Sequence, residues 1–173
     1  MMASIRASEL GEKVFLFERN PTLGKKLLLT GKGRCNISNA KELDLFLSHF
    51  STHGDFLRDA FKKFFYPQLI KFFQERGLEL KIERQERIFP VTDSAKSVLE
   101  VLKKELKKNK VEIRLSDRVL DIIVKEKKVV GIISEKEGFL PFAKVIVATG
   151  GAAYPLTGSD GSFLKLLSVW GIR

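Results

Sequence analysis

Thr149, Gly150 and Gly151 form the first place in the sequence where residue types suggest ligand chemistry. They follow the short apolar run Val145–Ala148 without a polar residue between. A run of this kind is typical of a strand buried on both faces of a parallel sheet. The glycine pair suits a close approach between the backbone and a ligand. Because ligands of open parallel sheets bind just past the carboxyl ends of strands, we expect a ligand edge near Thr149. A strand ending in an ordinary glycine turn is the alternative.

A second predicted strand, Lys13–Glu18, ends in an acidic residue. In dinucleotide-binding folds a carboxylate at this position accepts hydrogen bonds from ribose hydroxyls. A polar strand end without a ligand is the alternative. The glycine-rich loop that accompanies such an acid lies roughly 20 residues earlier. No G-x-G-x-x-G after a first strand precedes Glu18 in this sequence.

The segment Asn20–Asn39 reads as a long loop that is both glycine-rich and basic. Its glycines are Gly24, Gly31 and Gly33, and its cations are Lys25, Lys26, Lys32 and Arg34. Backbone N–H groups in such loops, together with nearby cations, can hold an anion. The spacing does not fit a Walker loop, and a surface loop with solvated lysines is the alternative.

The sequence contains no convincing catalytic or metal-binding set. His49 and His53 are four residues apart, but no cysteine or acid completes a set of metal ligands. Cys35 is the only cysteine, and a small residue in a tight loop is favoured over a reactive thiol. We therefore predict no metal site and name no catalytic residue.

Composition indicates a globular chain. Its 173 residues are 44% hydrophobic and 30% charged, which suits one sizeable core. No apolar run reaches the length of about 18 residues needed for a membrane span, and the first residues lack the apolar core of a signal peptide. The single cysteine excludes an internal disulfide. These features predict a cytoplasmic protein without a membrane-spanning segment.

The net charge of +10 leaves several partner classes open. Nucleic acid, an anionic membrane surface and an anionic cofactor would each suit 31 basic against 21 acidic residues. The densest group is Lys103, Lys104, Lys107, Lys108 and Lys110. A solvated helix face is the favoured interpretation of this group, so nucleic-acid binding is not favoured.

The order of predicted elements is that of an α/β protein. A helix over residues 2–10 precedes the Lys13–Glu18 strand, and phenylalanine-rich helices follow in a helical insert at 40–77. Phe56, Ala60, Phe61, Phe64 and Phe65 are predicted to form a core stripe on these helices. The remaining predictions are short strands around Glu79–Ile82 and Arg87–Phe89, a helix over 95–109, a strand at Val111–Leu115, a three-stranded antiparallel meander at 119–143, and a helix starting at Phe163–Trp170. Val14–Phe17, Val111–Leu115 and Val145–Ala148 are expected to run parallel in one sheet.

Several motifs together resemble a known family. They are Phe17-Glu18-Arg19-Asn20, Gly24-Lys25-Lys26, the stretch from Thr30 to Asn39, Arg87-Ile88-Phe89-Pro90, Ala148-Thr149-Gly150-Gly151, Tyr154-Pro155 and Thr157-Gly158-Ser159. The sequence resembles the BaiN-type bacterial NAD(P)/FAD-dependent oxidoreductases, also described as aminoacetone oxidase-like flavoproteins. The resemblance covers essentially all 173 residues, and T-G-x-G-R-C-N is its most specific stretch.

The resemblance implies a partial Rossmann-like FAD-binding domain over 1–173, with a parallel sheet that lacks its first strand. It implies FAD as cofactor, NAD(P) as a further one, and hydride transfer to a small organic substrate. Glu18 would hold the adenosine ribose, the loop from Lys25 to Asn36 would follow the pyrophosphate and flavin, and Val119 would offer backbone atoms to the adenine. The full set of implied cofactor-binding residues is Glu18, Arg19, Lys25, Lys26, Thr30, Gly31, Gly33, Arg34, Cys35, Asn36, Val119, Thr149, Gly150 and Gly151.

The family's pattern begins before the position of Met1 and continues past Arg173. We therefore expect a fragment that is incomplete at both ends, with a second chain as one source of the remaining segments. Because the glycine-rich loop supplies the main anion site at a helix N-terminus, the chain alone is expected to bind FAD weakly or not at all. Two other interpretations stay open: a non-catalytic remnant or one chain of a split flavoprotein, and a basic nucleic-acid-binding module.

Overall fold

A computed structural model describes residues 1–164 of the chain. The chain divides into two units. Unit 1 contains Met1–Lys26 and the chain from Glu105 onward, and unit 2 contains Leu27–Lys104. Unit 2 therefore extends well beyond the helical insert expected at 40–77, while the assignment of 1–173 to one partial domain stays a prediction.

The elements follow one another in the predicted α/β order. The helices are α1 (Met2–Glu9), α2 (Leu43–Leu47), α3 (Arg58–Lys63), α4 (Tyr66–Gln74) and α5 (Ala95–Lys108). The strands are β1 (Phe15–Glu18), β2 (Ser38–Asn39), β3 (Leu80–Glu83), β4 (Arg87–Pro90), β5 (Glu112–Leu115), β6 (Val119–Lys125), β7 (Lys128–Ser134) and β8 (Gly138–Pro141). Short 3-10 segments cover Leu27–Gly33, Ser48–Leu57, Arg84–Glu86 and Pro155–Thr157. The α/β fold class is confirmed.

In unit 1, β1 and β5 form a parallel pair, in register from Phe15 opposite Glu112 to Glu18 opposite Leu115. Parallel neighbours need a long connection, and the chain between these strands supplies it. Two of the three strands expected to run parallel are therefore present and parallel.

The prediction of a buried strand at Val145–Ala148 is wrong for the described structure. Residues 145–148 form no strand, and the side chains of Ile146 and Val147 are 67% and 39% exposed. Only Val145 packs on the core of unit 1. A strand needs a hydrogen-bonded neighbour, and no strand within residues 1–164 pairs with this segment. The apolar run therefore predicted buried side chains, whereas Ile146 and Val147 are exposed in the described structure.

The predicted antiparallel meander is confirmed as β6–β7–β8, and it carries a hydrophobic core cluster of unit 1. Ile122 on β6 is paired directly with Ile132 on β7, and both are buried with Phe163. Phe17 and Phe142 pack against this cluster, with their ring centroids 6.0 Å apart. Glu126 and Lys127 both have positive φ between β6 and β7. This is the backbone of a two-residue turn whose twist matches antiparallel strands.

Unit 2 contains the antiparallel sheet β2–β4–β3 and most of the helices. β4 is the central strand, and Ile88, Phe89 and Pro90 on it are buried. The phenylalanine stripe is not the buried core that was predicted, because Phe56 and Phe64 are 88% and 44% exposed and Ala60 is exposed as well. Phe61 and Phe65 are only half-buried. The chain over Ser48–Leu57 is a 3-10 helix rather than an α-helix. Its three-residue turn moves Phe56 off the face expected from a 3.6-residue period.

Helix α5 is amphipathic, and it carries the chain across the boundary between the units. The predicted inner face is confirmed, since Ala95, Leu99, Leu102 and Leu106 are all buried. The helix predicted for Phe163–Trp170 lies largely outside the described residues. No helix in the described part of the chain is long and apolar enough to cross a membrane.

Candidate functional site

The carboxylate of Glu18 is held in place at the end of β1. Its Oε1 atom accepts hydrogen bonds from the backbone N and the side-chain Nδ2 of Asn20, both at 2.8 Å. Oε2 accepts no hydrogen bond within residues 1–164. One oxygen therefore fixes the side chain, and the other can accept hydrogen bonds from a ligand hydroxyl.

The turn at residues 157–160 is attached to the same strand end. Asn20 Nδ2 donates to the carbonyl of Thr157 at 3.0 Å, and Arg19 Nη1 donates to Asp160 Oδ2 at 2.7 Å. Hydrogen bonds from Ser162, followed by those from Arg19, hold the pKa of Asp160 well below its usual range. The guanidinium of Arg19 pairs with Asp160. Arg19 therefore attaches this turn to the end of β1.

Thr149 and Gly150 lie against this turn. Ser159 Oγ donates to the carbonyl of Thr149 at 3.5 Å. Gly150 has φ +75°, and a Cβ at this position would lie 2.7 Å from Ser159 Oγ and 3.9 Å from Lys26 Nζ. Glycine is required here both by the backbone conformation and by the close packing. Lys26 forms no ion pair with a carboxylate in the part of the chain that the structure describes.

Unit 1 thus places a carboxylate, a cation and an exposed glycine backbone beyond the end of β1. Such a combination can hold a ribose through Glu18 and a phosphate through Lys26 and backbone N–H groups. A Cβ at Gly151 would meet no atom within 4 Å, and Lys25 is exposed. Val119 begins β6, opposite Ser134 of β7.

The remaining candidate residues, from Thr30 to Asn36, belong to unit 2 and form a closed loop. The backbone N–H of Cys35 donates to the carbonyl of Thr30 at 3.0 Å, and that of Arg34 donates to Gly31 at 3.1 Å. A Cβ on Gly31 would lie 2.7 Å from the backbone N of Asn36. The Asn36 side-chain amide faces the carbonyls of Ile88 and Ser38, to which its nitrogen donates once the amide is oriented to satisfy both groups. Gly33 has φ +85°, a conformation that favours glycine. Thr30, Gly31, Gly33 and Asn36 therefore have clear structural roles in shaping this loop.

Arg34 is anchored within unit 2. Its Nε donates to Asp93 at 2.8 Å and its Nη2 donates to Glu83 and Asp93. Lys81 Nζ also contacts both carboxylates, and the guanidinium lies 4.2 Å from the centroid of the Phe89 ring. The hydrogen bonds to Glu83 and Asp93 raise the pKa of Arg34. The groups that would bind a phosphate are thus already used by two acids.

Cys35 is buried, with 6% of its surface exposed. Burial raises the pKa of the Cys35 thiol, and a hydrogen bond with Thr30 opposes this only in part. A thiol with a raised pKa is protonated at neutral pH and is a poor nucleophile.

Sequence reasoning did not single out Asn20, Ser159 and Asp160 as site residues. Asn20 orients Glu18, while Ser159 and Asp160 hold the turn against Thr149 and Arg19. The available signal was the run Thr157-Gly158-Ser159-Asp160-Gly161, which contains only glycine and small polar residues. Such a run indicates a tight turn with inward-facing hydroxyl and carboxylate groups.

Comparison with known proteins assigns the family. The family model described as the HI0933-like protein Rossmann domain matches residues 1–173. The chain belongs to this family. The assignment confirms, at the level of the family, the resemblance to the BaiN-type flavoprotein oxidoreductases and the Rossmann-like fold.

Named relatives cover more than one activity. The chain is 38% identical to the 3-dehydro-bile acid delta(4,6)-reductase of Clostridium scindens over 94% of its own length and 39% of that protein. It is 26% identical to the ribosomal RNA dihydrouridine synthase of Escherichia coli over 100% of its own length and 42% of that protein. The chain thus spans about two fifths of the length of these relatives.

Among solved structures, THI4 of Thermovibrio ammonificans has a TM-score of 0.63 at 14% identity. The match covers 99% of this chain and 58% of that structure. At this level of identity the likeness supports the fold alone.

Proposed function

We propose that this chain is the dinucleotide-binding part of an FAD-dependent oxidoreductase that acts on a small organic molecule. The observation that carries the proposal is the arrangement of Glu18, Lys26 and Gly150 at one end of β1. Glu18 Oε2 accepts the ribose hydroxyls, Lys26 compensates phosphate charge, and Gly150 lets the cofactor approach the backbone. When bound, the flavin supplies hydride transfer, with NAD(P)H as the proposed hydride donor.

The residues of unit 1 bind and orient the cofactor in this proposal. Asn20 keeps the Glu18 carboxylate in one rotamer, so less conformational entropy is lost when a ribose binds. Arg19 and Ser159 fix the turn at 157–160, which holds Thr149 and Gly150 in place. Arg34 and Cys35 have no direct cofactor contact in this proposal, because the first is ion-paired and the second is buried.

We propose a small molecule as the substrate class for two reasons. The first is the sequence identity to the named relatives, and the second is the pairing of basic side chains with acids. The relative named for a bile acid substrate is more similar to this chain than the relative named for ribosomal RNA. Many basic side chains are also paired with nearby acids, as in Lys103 with Glu100 and Lys144 with Glu12. Charges compensated in this way contribute little to the release of counterions from RNA. RNA binding with a steep salt dependence would contradict this part of the proposal.

The exposed apolar segment at 145–148 supports a further part of the proposal. We propose that a strand from outside residues 1–164, in the same polypeptide or in a second chain, lies beside this segment and β1. A neighbouring strand would bury Ile146 and Val147 and would complete the strand order of a doubly wound sheet.

Nuclear magnetic resonance mapping tests the cofactor site. Titration of FAD into the ¹⁵N-labelled chain at low ionic strength should shift the backbone amides of Glu18, Lys26, Gly150 and Ser159. The Lys26→Gln variant should weaken this titration. Lys13→Gln, which removes an exposed charge of the same unit that pairs with Glu112, should leave it nearly unchanged. No shift at these amides up to millimolar FAD, or equal weakening in both variants, would overturn the proposal.

A further inference from the structure

A small pocket in unit 2 combines an aromatic wall with an uncompensated positive charge. Asn39, Lys41, Phe46, His49 and Phe50 line a space of about 220 Å³. All five residues belong to one unit, so the shape of the pocket depends only on that unit. None of them is a residue of the proposed cofactor site.

The aromatic wall is held by neighbouring rings. The centroids of Phe46 and Phe50 are 5.4 Å apart, and Phe46 also contacts Phe61 at 5.2 Å and Phe65 at 5.0 Å. These separations are typical of attractive aromatic pairs. Phe50 nevertheless remains 39% exposed, so an apolar surface stays open to a ligand.

The polar end of the pocket is arranged around Lys41. Its Nζ lies 3.2 Å from His49 Nε2, while His49 Nδ1 lies 2.7 Å from the carbonyl of Leu45. A carbonyl only accepts, so Nδ1 carries the proton and Nε2 presents its lone pair to the lysine ammonium. His49 therefore positions Lys41 without neutralising its charge.

The positive charge of Lys41 has no carboxylate partner among residues 1–164. Asp44 and Asp55, two acids of the same unit, both pair with Arg58, and the adjacent Glu42 forms no ion pair with Lys41 within residues 1–164. Asn39 is also occupied: Oδ1 accepts from the backbone N of Lys41, and Nδ2 donates to Gln85. Of the polar groups that line the pocket, the Lys41 ammonium is the charged donor left for a ligand.

We propose that this pocket binds a planar aromatic monoanion, such as an aryl carboxylate. The anion accepts hydrogen bonds from Lys41, and the ring system packs against Phe46 and Phe50. The volume suits one ring system, because pockets for whole drug-sized ligands span about 300–1,000 Å³. The proposal is independent of flavin binding.

Two ligands of similar shape but different charge test the proposed anion site. The 173-residue chain, free of flavin, is titrated with 2-naphthoate and with neutral 2-naphthamide by calorimetry at low ionic strength. We expect 2-naphthoate to bind about tenfold more tightly, the lower end of what a hydrogen bond from a charged donor contributes. No saturable binding, or equal affinity for the two ligands, would overturn the proposal.

Variants separate the pocket from general electrostatic attraction. Lys41→Gln should remove the preference for the anion, whereas Lys62→Gln, at an exposed lysine of the same unit that pairs with Asp59, should keep it. Phe50→Ala should weaken both ligands and leave their ratio unchanged. Equal loss in the two lysine variants, or an unaltered affinity in Phe50→Ala, would contradict the assignment. Circular dichroism of each variant checks that it is folded.

Discussion

At the scale of single residues, Lys26 and Arg34 show why a basic motif does not identify its own function. Both belong to the same glycine-rich stretch, and both fitted an anion site in the sequence. Arg34 is bound by Glu83 and Asp93, whereas Lys26 lies near Gly150 with no carboxylate partner in the described part of the chain. Only the fold determines which cation has acidic neighbours, because Glu83 and Asp93 are 49 and 59 residues away from Arg34.

The Arg34 network predicts a specific response to acid. Contacts with Arg34 and Lys81 lower the pKa of Glu83 and Asp93. A carboxylate with a lowered folded-state pKa stabilises the fold above its unfolded pKa, and this stabilisation is lost as the pH falls through the folded value. We therefore expect Arg34→Gln to lose less stability than the wild type between about pH 5 and pH 2, since the unfolded pKa values are about 4.

Urea unfolding across this pH range measures the effect. Lys32→Gln is the matched control, because Lys32 lies in the same loop and forms no ion pair within residues 1–164. The control should follow the wild-type pH dependence. If Arg34→Gln also follows it, the ion pairs do not hold the loop.

Cys35 should react slowly with thiol reagents in the folded chain. The thiolate is the reactive form, and burial raises the pKa of this thiol while it also blocks access. The thiolate fraction falls about tenfold for each unit by which a pKa rises. Alkylation by iodoacetamide at pH 7.5 should therefore be slower than that of glutathione, and it should reach the glutathione rate in denaturant. Fast alkylation of the native chain would restore a reactive role for Cys35.

At the scale of elements, the sequence predicted well wherever local pattern and tertiary burial agree. The meander was predicted because β6, β7 and β8 are adjacent in sequence and pair with each other. Helix α5 was predicted because its apolar residues follow the helical period over four turns. The segment at 145–148 and Phe56 are among the residues that were predicted incorrectly. Their burial depends on a neighbouring strand in the first case and on a helix of different period in the second, and neither is visible in a short window of sequence.

The turn at 157–160 is expected to depend on Gly158. This residue has φ +97°, and a Cβ on it would lie 2.6 Å from Asn20 Nδ2. Gly158→Ala should therefore destabilise the chain by about 1–3 kcal/mol through backbone strain and a steric clash. Asn20 would have to move, and its hydrogen bond to Glu18 would be lost. Chemical denaturation measures the change in unfolding free energy. The NMR chemical shift of the Glu18 backbone amide reports the change in local structure.

Gly151→Ala is the matched control for this substitution. Nothing lies within 4 Å of a Cβ at Gly151. Its change in unfolding free energy should stay within about 0.5 kcal/mol, as for other exposed positions. Equal destabilisation by the two variants would show that the close packing of Gly158 against Asn20 has no energetic role.

At the scale of the whole molecule, the candidate residues of the sequence fall into two units. Glu18, Lys26 and Gly150 belong to unit 1, and the Thr30–Asn36 loop belongs to unit 2. The fold class and the identity of the motifs were accessible from sequence, because they depend on residue type and spacing. The division of the motifs between units was not, since the chain crosses from one unit to the other after Lys26 and within α5, and no linker-like run of glycine, proline or serine marks either place.

The affinity of this chain for FAD is expected to be weaker than micromolar and to depend strongly on salt. Glu18 and Lys26 supply a small number of hydrogen bonds to charged groups, each contributing about 1.5–3 kcal/mol. Association costs at least about 4 kcal/mol, whereas micromolar affinity needs a net free energy of about 8 kcal/mol. The electrostatic attraction between Lys26 and the phosphates of FAD should also weaken as the Debye length falls to about 8 Å at 0.15 M salt.

Titration of FAD at 0.01 M and at 0.15 M ionic strength, followed by flavin fluorescence, measures both quantities. Glu18→Gln keeps the shape of the side chain and removes the charge that favours ribose hydroxyls as donors. It should weaken binding at both ionic strengths, because hydrogen bonds at short range are little screened. Lys26→Gln should weaken binding mainly at low salt, because a phosphate held at longer range is screened in 0.15 M salt anyway. Binding tighter than micromolar at 0.15 M salt would contradict this balance, and would mean that further groups of the chain contribute to the phosphate site.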